Sequence, residues 1–356
     1  MTARRFVIVA GGTGGHILPG IRVGEALSIQ AAGGLSVEFV SGPRPIEREV
    51  YRGEGFAPRV IKTGGWRGVG RQVVQGFEFS FDVATLLASF GANRPAGVLA
   101  MGGAASFPVL LSAVALGIPV FLHESNRIPG RVIRLFQRFA RRVYLGLGGL
   151  SGPRVEVTGT PTRQPRRIDA PANLVLCVGG SQGSARLNEL FLQAAEVLAP
   201  RFPELRFVLI AGPASDSLKS ERVEIRGYEP KLADLLSATR VIVSRAGAGA
   251  LADVANFRIP SILVPYPHAK DDHQRANAQA LAERGAALVC DERDLTSARL
   301  EAEIAGLLQD EERRRAMVAA LEPFDSTDSA RRIADSILKE IAPRLPVAQP
   351  SQGLPS

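Results

Sequence analysis

The two halves of the chain begin with the same local pattern, a short apolar run followed by closely spaced glycines. Residues 6–10 lead into GGTGGH at 11–16, and residues 174–178 lead into GGSQG at 179–183. An apolar run of this length predicts a buried β-strand, and glycines let the backbone approach a ligand closely because they lack Cβ. A helix that begins directly afterwards presents free N–H groups to an anion. The repeat therefore predicts two α/β domains facing one cleft, each with an anion-binding loop.

Apolar runs of strand length alternate with helical patterns through both halves of the 356-residue chain. This alternation predicts two Rossmann-like domains with doubly wound parallel sheets. We place the first domain at 1–160 and the second at 161–327, expect a helix at 328–341 to pack back on the first, and expect disorder at 343–356. Strands are expected at 6–10, 36–40, 97–101, 119–123, 174–178, 206–211, 240–244 and 261–264.

Charge is distributed unevenly between the two halves. Residues 1–160 carry 18 Lys and Arg against nine Asp and Glu, whereas residues 161–356 carry 25 against 26. The basic first half predicts an anionic partner. No helix-turn-helix, zinc-finger or RNA-recognition motif occurs, and the arginines are not interleaved with aromatics. We therefore expect no nucleic acid and favour an anionic membrane surface.

One segment of the first half is suited to such a surface. Between residues 66 and 77, apolar side chains recur at nearly helical spacing beside two arginines, as in an interfacial amphipathic helix. A loop and helix packed into the core would show the same spacing, so this alternative stays open. The predicted membrane patch consists of Trp66, Arg67, Arg71, Val73 and Phe77.

The sequence gives no indication of secretion or of a membrane span. No apolar leader precedes the first glycine loop, and Cys177 and Cys290 form neither a CxxC pair nor a ligand cluster. Residues 95–122 are uncharged, but glycines and prolines divide them into a strand, a short helix and another strand. We expect a peripheral protein on the cytoplasmic face of the cell membrane.

A further cluster follows the strand expected at 240–244. Arg245 and the small residues at 246–250 present one cation and several N–H groups where a diphosphate would bind. Asp253 lies two turns into the expected helix, where it could accept hydrogen bonds from ribose hydroxyls. An ordinary acid on the helix surface is the alternative for Asp253.

Five motifs occur in order along the chain. They are GGTGGH at 11–16 with Pro19, HESN at 123–126 with Pro129 and Gly130, GGSQG at 179–183 with Asn188, SRAGA at 244–248, and DHQ at 272–274 with Asn277 and Ala278. Together they resemble the MurG family, the peptidoglycan N-acetylglucosaminyltransferases.

The resemblance runs from residue 6 to about residue 290, and it implies a GT-B fold with an acceptor domain first and a UDP-sugar domain second. It also implies inverting transfer of N-acetylglucosamine from UDP-GlcNAc to undecaprenyl-diphospho-N-acetylmuramoyl-pentapeptide, lipid I. Association with other cell-wall synthesis proteins is a further expectation.

The resemblance implies which residues contact the donor. The first loop lies near the sugar and the phosphates, Asn126 and Gln274 hold the sugar, and Asp253 takes the ribose. Arg245 joins this set because of the cluster described above. The residues expected to bind UDP-GlcNAc are Thr13, Gly14, Gly15, Asn126, Arg163, Ser181, Tyr228, Arg245, Ala248, Gly249, Ala250, Leu251, Asp253 and Gln274.

Three positions depart from the family pattern. Ser125 stands where the family usually has Gln, Asp253 is one methylene shorter than the usual Glu, and Gly20 replaces a usual Ala. The change at Ser125 affects the expected sugar contacts, and the change at Asp253 weakens or moves the ribose bond.

Two side chains are candidates for the catalytic base that takes the proton of the acceptor hydroxyl. His16 follows the first glycine loop, and imidazole titrates near neutral pH. A structural or helix-capping histidine is the alternative reading of His16. Glu124 is the competing base.

We expect neither a metal nor another cofactor. No Asp-x-Asp pair occurs in a suitable loop, because Asp271 and Asp272 are adjacent rather than spaced. Helix N-termini, Arg163 and Arg245 are expected to stabilise the departing diphosphate instead.

Other functions fit parts of the sequence. A UDP-GlcNAc 2-epimerase or another lipid glycosyltransferase has the same fold, but an epimerase needs several acid and base groups around the donor sugar. A non-catalytic nucleotide-sugar sensor has no use for His16 beside a membrane segment. An NAD-dependent dehydrogenase needs an acid at the end of its second strand, whereas Glu38 lies inside that strand.

Overall fold

The computed structural model describes residues 3–12, 14–64, 72–165, 172–180, 183–227, 229 and 231–342, without the side chain of Val73. Several expectations therefore lie outside the described residues. They concern the tail at 343–356, Trp66, Arg67 and Arg71 of the predicted membrane patch, and the donor residues Thr13, Ser181 and Tyr228.

The first half folds around a parallel sheet of seven strands in the order β3-β2-β1-β4-β5-β6-β7. Successive residues of a strand point to opposite faces, and helices cover both faces here, so the strands are continuous apolar runs. The strands are β1 (Arg4–Val9), β2 (Leu35–Ser41), β3 (Arg59–Val60), β4 (Val98–Ala100), β5 (Val120–Glu124), β6 (Arg142–Leu145) and β7 (Val155–Val157).

The helices of this half are divided between the two faces of the sheet. Phe6 and Ile8 of β1 pack in one core cluster with side chains of α1 and α2, whose ranges follow below. Val7 and Val9 pack in a second cluster with α3, α4 and α5. The helices are α1 (Gly14–Gln30), α2 (Pro45–Gly53), α3 (Gln72–Ala92), α4 (Ser106–Ala115) and α5 (Arg131–Phe136).

The second half repeats this plan with six parallel strands in the order β10-β9-β8-β11-β12-β13. The relative order is that of β3-β2-β1-β4-β5-β6, so the repeated sequence pattern opens two sheets of the same topology. The predicted fold class, two doubly wound parallel-sheet domains, is confirmed. The strands are β8 (Leu174–Val178), β9 (Arg206–Ile210), β10 (Val223–Arg226), β11 (Thr239–Ser244), β12 (Ser261–Leu263) and β13 (Leu288–Val289).

In the described part of the second half, six helices surround the second sheet and a seventh returns to the first. Ile333 and Ile337 of that last helix, α12, lie in the same core cluster as Phe6 and Ile8 of β1. Their spacing of four residues places them on one helix face, which packs against α1. The helices are α6 (Ala185–Leu198), α7 (Leu232–Ser237), α8 (Ala248–Asn256), α9 (His273–Ala282), α10 (Ser297–Gln309), α11 (Glu311–Ala320) and α12 (Ser329–Ile341).

The eight predicted strands are all present, with ends within two residues of the expected ones. The uncharged stretch at 95–122 contains β4, α4 and the start of β5, as its glycines and prolines indicate. Across the described ranges, no helix combines the length and the apolar character needed to cross a bilayer.

Candidate active site

The site lies at the carboxyl ends of the strands where each sheet reverses its order. In the first sheet β1 lies between β2 and β4, and in the second β8 lies between β9 and β11. Ligands of open parallel sheets bind at such switch points. The loops that leave β1 and β8 are the two glycine loops, and α1 and α8 contact each other across the domains. Helix α8 follows β11, the strand next to β8, so this contact places the helix of the first glycine loop against the second domain near its switch point.

His16 lies in the first turn of α1 and is partly exposed. Its Nδ1 is 3.1 Å from Gly11 O, and a carbonyl only accepts, so Nδ1 carries the proton of this hydrogen bond. In the neutral ring Nε2 then keeps its lone pair. Gly103, with φ of +82°, permits this arrangement, because a Cβ there would lie 2.7 Å from Gly11 O. The geometry leaves one imidazole nitrogen able to accept a proton.

Glu124 ends β5 and uses both carboxylate oxygens within its own loop. Oε1 accepts from Asn126 N at 2.9 Å and from Asn126 Nδ2 at 3.0 Å, and Oε2 accepts from Gly130 N at 2.7 Å. The side chain is buried. These bonds fix the turn that leads into α5, and they disfavour Glu124 as a base because a proton acceptor needs an accessible lone pair.

A buried asparagine joins the two domains beside the cleft. Asn277 of α9 donates from Nδ2 to Asn126 Oδ1 at 3.0 Å and to Ala246 O at 3.1 Å, and its Oδ1 accepts from Arg127 N at 2.8 Å. Gln274 lies three residues earlier, on the same helix face. The structure therefore brings Asn126 and the segment of Gln274 together, as expected. Gln274 Oε1 accepts from Tyr266 N at 3.0 Å.

Asp253 is buried in α8, so the alternative of an ordinary surface acid is wrong. Its Oδ1 accepts from Thr162 Oγ1 at 2.6 Å and its Oδ2 from Arg163 Nη1 at 2.9 Å. Burial raises the pKa of the Asp253 carboxyl, against the opposite effect of Arg163. Two expected donor residues thus bind each other, and the ribose role of Asp253 and the phosphate role of Arg163 stay predictions.

Arg245 follows β11 and is buried. Its Nη1 lies 2.6 Å from Glu292 Oε2 and 3.1 Å from Val264 O. Its Nη2 hydrogen-bonds Ser184 Oγ, which also caps α6 by accepting from Leu187 N. Arg245 therefore ties the second glycine loop to β12 and β13, and its cation is paired within the protein.

The remaining expected donor residues lie at helix starts. Gly14 and Gly15 begin α1, and Ala248, Gly249, Ala250 and Leu251 form the first turn of α8. The first turn of a helix has N–H groups without intrahelical partners. Within the described part of the chain, no group of three His, Cys, Asp or Glu side chains could hold a metal ion.

Two of the departures from the family pattern have a structural correlate. Ser125 is buried, with Oγ 3.5 Å from His123 Nδ1. A Cβ at Gly20 would lie 3.2 Å from Ala10 Cβ and from Met101 Cγ, so glycine lets α1 pack closely on β1 and β4.

The sequence did not assign roles to Asn277, Glu292 or Thr162. The sequence could have indicated a role for Asn277, because it follows Gln274 at helical spacing within the same motif. Glu292 lies 47 residues from Arg245, and no local pattern indicates such a pair.

Two Rossmann-like domains with doubly wound parallel sheets are the architecture of the GT-B class of glycosyltransferases. The glycosyltransferase family 28 N-terminal domain matches residues 6–145, and the family 28 C-terminal domain matches residues 174–337. The chain belongs to glycosyltransferase family 28 and, within it, to the MurG family of N-acetylglucosamine transferases.

Two relatives span almost the whole chain, and both are named UDP-N-acetylglucosamine–N-acetylmuramyl-(pentapeptide) pyrophosphoryl-undecaprenol N-acetylglucosamine transferase. The protein of Gloeothece citriformis (strain PCC 7424) is 33% identical over 355 residues, covering 94% of this chain and 96% of that protein. The protein of Burkholderia thailandensis is 32% identical over 362 residues, covering 94% and 97%.

Solved structures show the same fold. The crystal structure of Acinetobacter baumannii MurG has a TM-score of 0.73 and 25% sequence identity, covering 95% of this chain and 99% of that chain. The UDP-GlcNAc 2-epimerase of Neisseria meningitidis has a TM-score of 0.66 at 13% identity, covering 94% and 100%. At that identity the epimerase shares the fold alone.

Proposed function

We propose that the chain transfers N-acetylglucosamine from UDP-GlcNAc to the muramoyl 4-hydroxyl of lipid I, giving lipid II. The names of relatives that match nearly the whole chain support this reaction. The observation that carries the proposal is the hydrogen bond of His16 Nδ1 to Gly11 O, beside the first glycine loop, which leaves Nε2 without a hydrogen-bond partner among the described residues. Epimerisation of UDP-GlcNAc is not favoured, because the similarity to epimerases is limited to the fold.

The proposed reaction is a single inverting displacement. The acceptor O4 attacks the anomeric carbon, the bond from that carbon to the diphosphate oxygen breaks, and the hydroxyl proton goes to His16 Nε2. UDP leaves with the bonding electrons. The N–H groups at the start of α8 and in the second glycine loop stabilise the diphosphate charge, with Arg163 and Arg245 close by.

We assign the role of base to His16 and a structural role to Glu124. Glu124 accepts three hydrogen bonds from its own loop, whereas His16 Nδ1 makes one bond that leaves Nε2 free. On this proposal Asn126 and Gln274, joined through Asn277, hold the donor sugar from the two sides of the cleft.

The experiment is a transfer assay on the full chain with radiolabelled UDP-GlcNAc and a short-chain lipid I analogue, in buffer and in excess EDTA. We expect labelled lipid II and UDP in equal amounts under both conditions. Conversion of UDP-GlcNAc to its 2-epimer without transfer would refute the reaction. Loss of activity in EDTA with recovery in Mg²⁺ would refute stabilisation by helix N-termini.

The partner proposed for the first domain is an anionic membrane surface. Val74, Phe77 and Phe81 are 54%, 73% and 51% exposed along one face of α3. Phe77 is therefore not packed into the core, and the alternative that this segment belongs to the core is wrong at that residue. Helix α4 packs against α3, and beyond it α5 and the turn after α5 expose Leu135 and Phe139. Exposed apolar side chains on adjoining helices are typical of an interfacial surface.

Basic side chains border these apolar residues. Lys62 Nζ lies 3.7 Å from the centre of the Phe81 ring. The exposed Arg134 and Arg138 flank Leu135. Beside Phe139, a cavity of about 460 Å³ is lined by Arg141 and Arg154 among others. Each basic residue near an anionic surface contributes about 1 kcal/mol, which supports reversible peripheral binding at the cytoplasmic face.

Liposome sedimentation tests the membrane proposal. We expect Phe77→Ser/Phe81→Ser and Arg134→Glu/Arg138→Glu each to reduce binding to phosphatidylglycerol vesicles, and high salt to release the protein. Ile29→Ser is the matched control, because Ile29 is 78% exposed on α1, at the opposite face of the sheet. Equal binding to neutral and anionic vesicles, or no loss of vesicle binding in either double variant, would refute the membrane proposal.

A further inference from the structure

Helix α2 holds the first glycine loop through side chains on one face. Glu47 Oε1 accepts from Gly12 N at 2.8 Å, and Tyr51 donates from its hydroxyl to Ala10 O at 3.1 Å. Arg44, which caps the start of α2, donates from Nη1 to Gly12 O at 3.4 Å. A spacing of four residues places Glu47 and Tyr51 on one face of the helix, and Arg44 lies at its N-cap position.

The two stronger contacts are buried. Glu47 is 2% exposed and Tyr51 is fully buried. Burial, with a smaller effect of the Glu47 charge, raises the pKa of the Tyr51 phenol, so the hydroxyl stays protonated and can donate. Glu47 Oε2 has no hydrogen-bond partner among the described residues, and the side chain borders a cavity of about 30 Å³ that Gly12 and Thr63 also line. An unsatisfied buried carboxylate oxygen is unfavourable, so the presence of a carboxylate at this position calls for an explanation.

One peptide group connects Glu47 to His16. The peptide between Gly11 and Gly12 gives its N–H to Glu47 Oε1, and its C=O accepts from His16 Nδ1. The group is planar, so fixing its N–H fixes the direction of its C=O. A carboxylate at the N–H end also polarises the peptide and strengthens the carbonyl as an acceptor. The orientation and tautomer of His16 therefore depend on Glu47.

We propose that Glu47 is a positioning residue that acts on His16 through the Gly11–Gly12 peptide. It holds the proton on Nδ1 and thereby keeps Nε2 free to take the acceptor proton. This inference rests on the proposed function, in which His16 is the base. Glu47 itself does not contact substrate.

Three variants of Glu47 test the hydrogen bond. Glu47→Met removes the acceptor, and we expect kcat to fall about 10-fold to 100-fold while the Kd of UDP-GlcNAc changes less than about 2-fold. Glu47→Gln retains an amide oxygen for Gly12 N and should keep kcat within about 3-fold of the wild type. Glu47→Asp keeps the charge but withdraws it by one methylene, so we expect a loss of kcat between those of the Gln and Met variants. This variant replaces Glu47→Met if the Met variant does not fold. Glu49→Met is the matched control, since Glu49 is exposed on the same helix.

A double-substitution cycle with His16→Ala separates positioning from general damage. If Glu47 acts through His16, Glu47→Met should lower kcat by less than about 2-fold in the His16→Ala background. An equal fall in both backgrounds, or a Gln variant as slow as the Met variant, would overturn the positioning role and leave the proposed reaction intact. Wild-type turnover of His16→Ala alone would instead refute the assignment of the base.

Discussion

The two glycine loops begin alike but are supported differently. Each follows the first strand of a sheet with the same strand order. In the first loop the Gly11–Gly12 peptide lies between a buried carboxylate, Glu47, and the partly exposed ring of His16. The second loop adjoins Ser184, which hydrogen-bonds the buried cation of Arg245. The difference lies in the side chains that reach each loop from other elements.

This comparison indicates a division of roles between the loops. A loop that leaves one imidazole nitrogen free is suited to move a proton. A loop next to helix N-termini and a fixed cation is suited to hold a diphosphate without moving. The local sequence gives the same strand–turn–helix unit twice, and on the proposed function distant residues suit one copy to proton transfer and the other to binding.

The largest expected effect concerns the support of the second loop. Glu292→Ala leaves the Arg245 guanidinium buried and unpaired, so the free energy of unfolding should fall by about 3–5 kcal/mol. Urea denaturation measures this, with Asp328→Ala as a control at an exposed pair, where the loss of stability should be much smaller. An equally small loss in both variants would mean that Arg245 does not depend on Glu292.

A smaller effect is expected from the buried histidine of the first domain. Burial lowers the pKa of His123 to about 4, while Nε2 donates to Gly159 O at 3.2 Å. In the unfolded chain, the His123 side chain takes up a proton near pH 6.5. The folded state therefore loses stability relative to the unfolded state as the pH falls from about 6.5 towards 4.

Relative to His123→Gln, which keeps a donor and does not titrate, the wild type should lose about 2–3 kcal/mol more stability between pH 7 and pH 4.5. Urea denaturation at both pH values gives the comparison. Parallel losses in the two proteins would show that His123 is protonated in the folded state.

Local chemistry explains how far the sequence predicts this molecule. Both glycine loops and the long apolar strands were predicted, because buried parallel strands are continuous apolar runs. Short strands such as β3, with two residues, and β10, with the sequence VEIR, were missed because edge strands need few apolar residues. The pairs Arg245–Glu292 and Gly12–Glu47 were also missed, since they join residues that only the folded chain brings together.

The smallest expected effect is at the cap of the second loop's helix. Ser184 Oγ accepts from Leu187 N at 3.3 Å, so Ser184→Ala should lower the free energy of unfolding by about 1 kcal/mol. Thermal unfolding measures the change, and the kcat of transfer should stay near the wild-type value if this loop only binds. A large fall in kcat with unchanged stability would contradict the division of roles.

The most direct test of that division is to measure kcat for transfer and the Kd of UDP-GlcNAc in His16→Ala. We predict that kcat falls about 10²-fold or more, as for loss of a general base, while Kd changes by less than about 2-fold because most of the expected donor residues lie in the second domain. Turnover like that of the wild type would contradict the account and would transfer the role of base to Glu124.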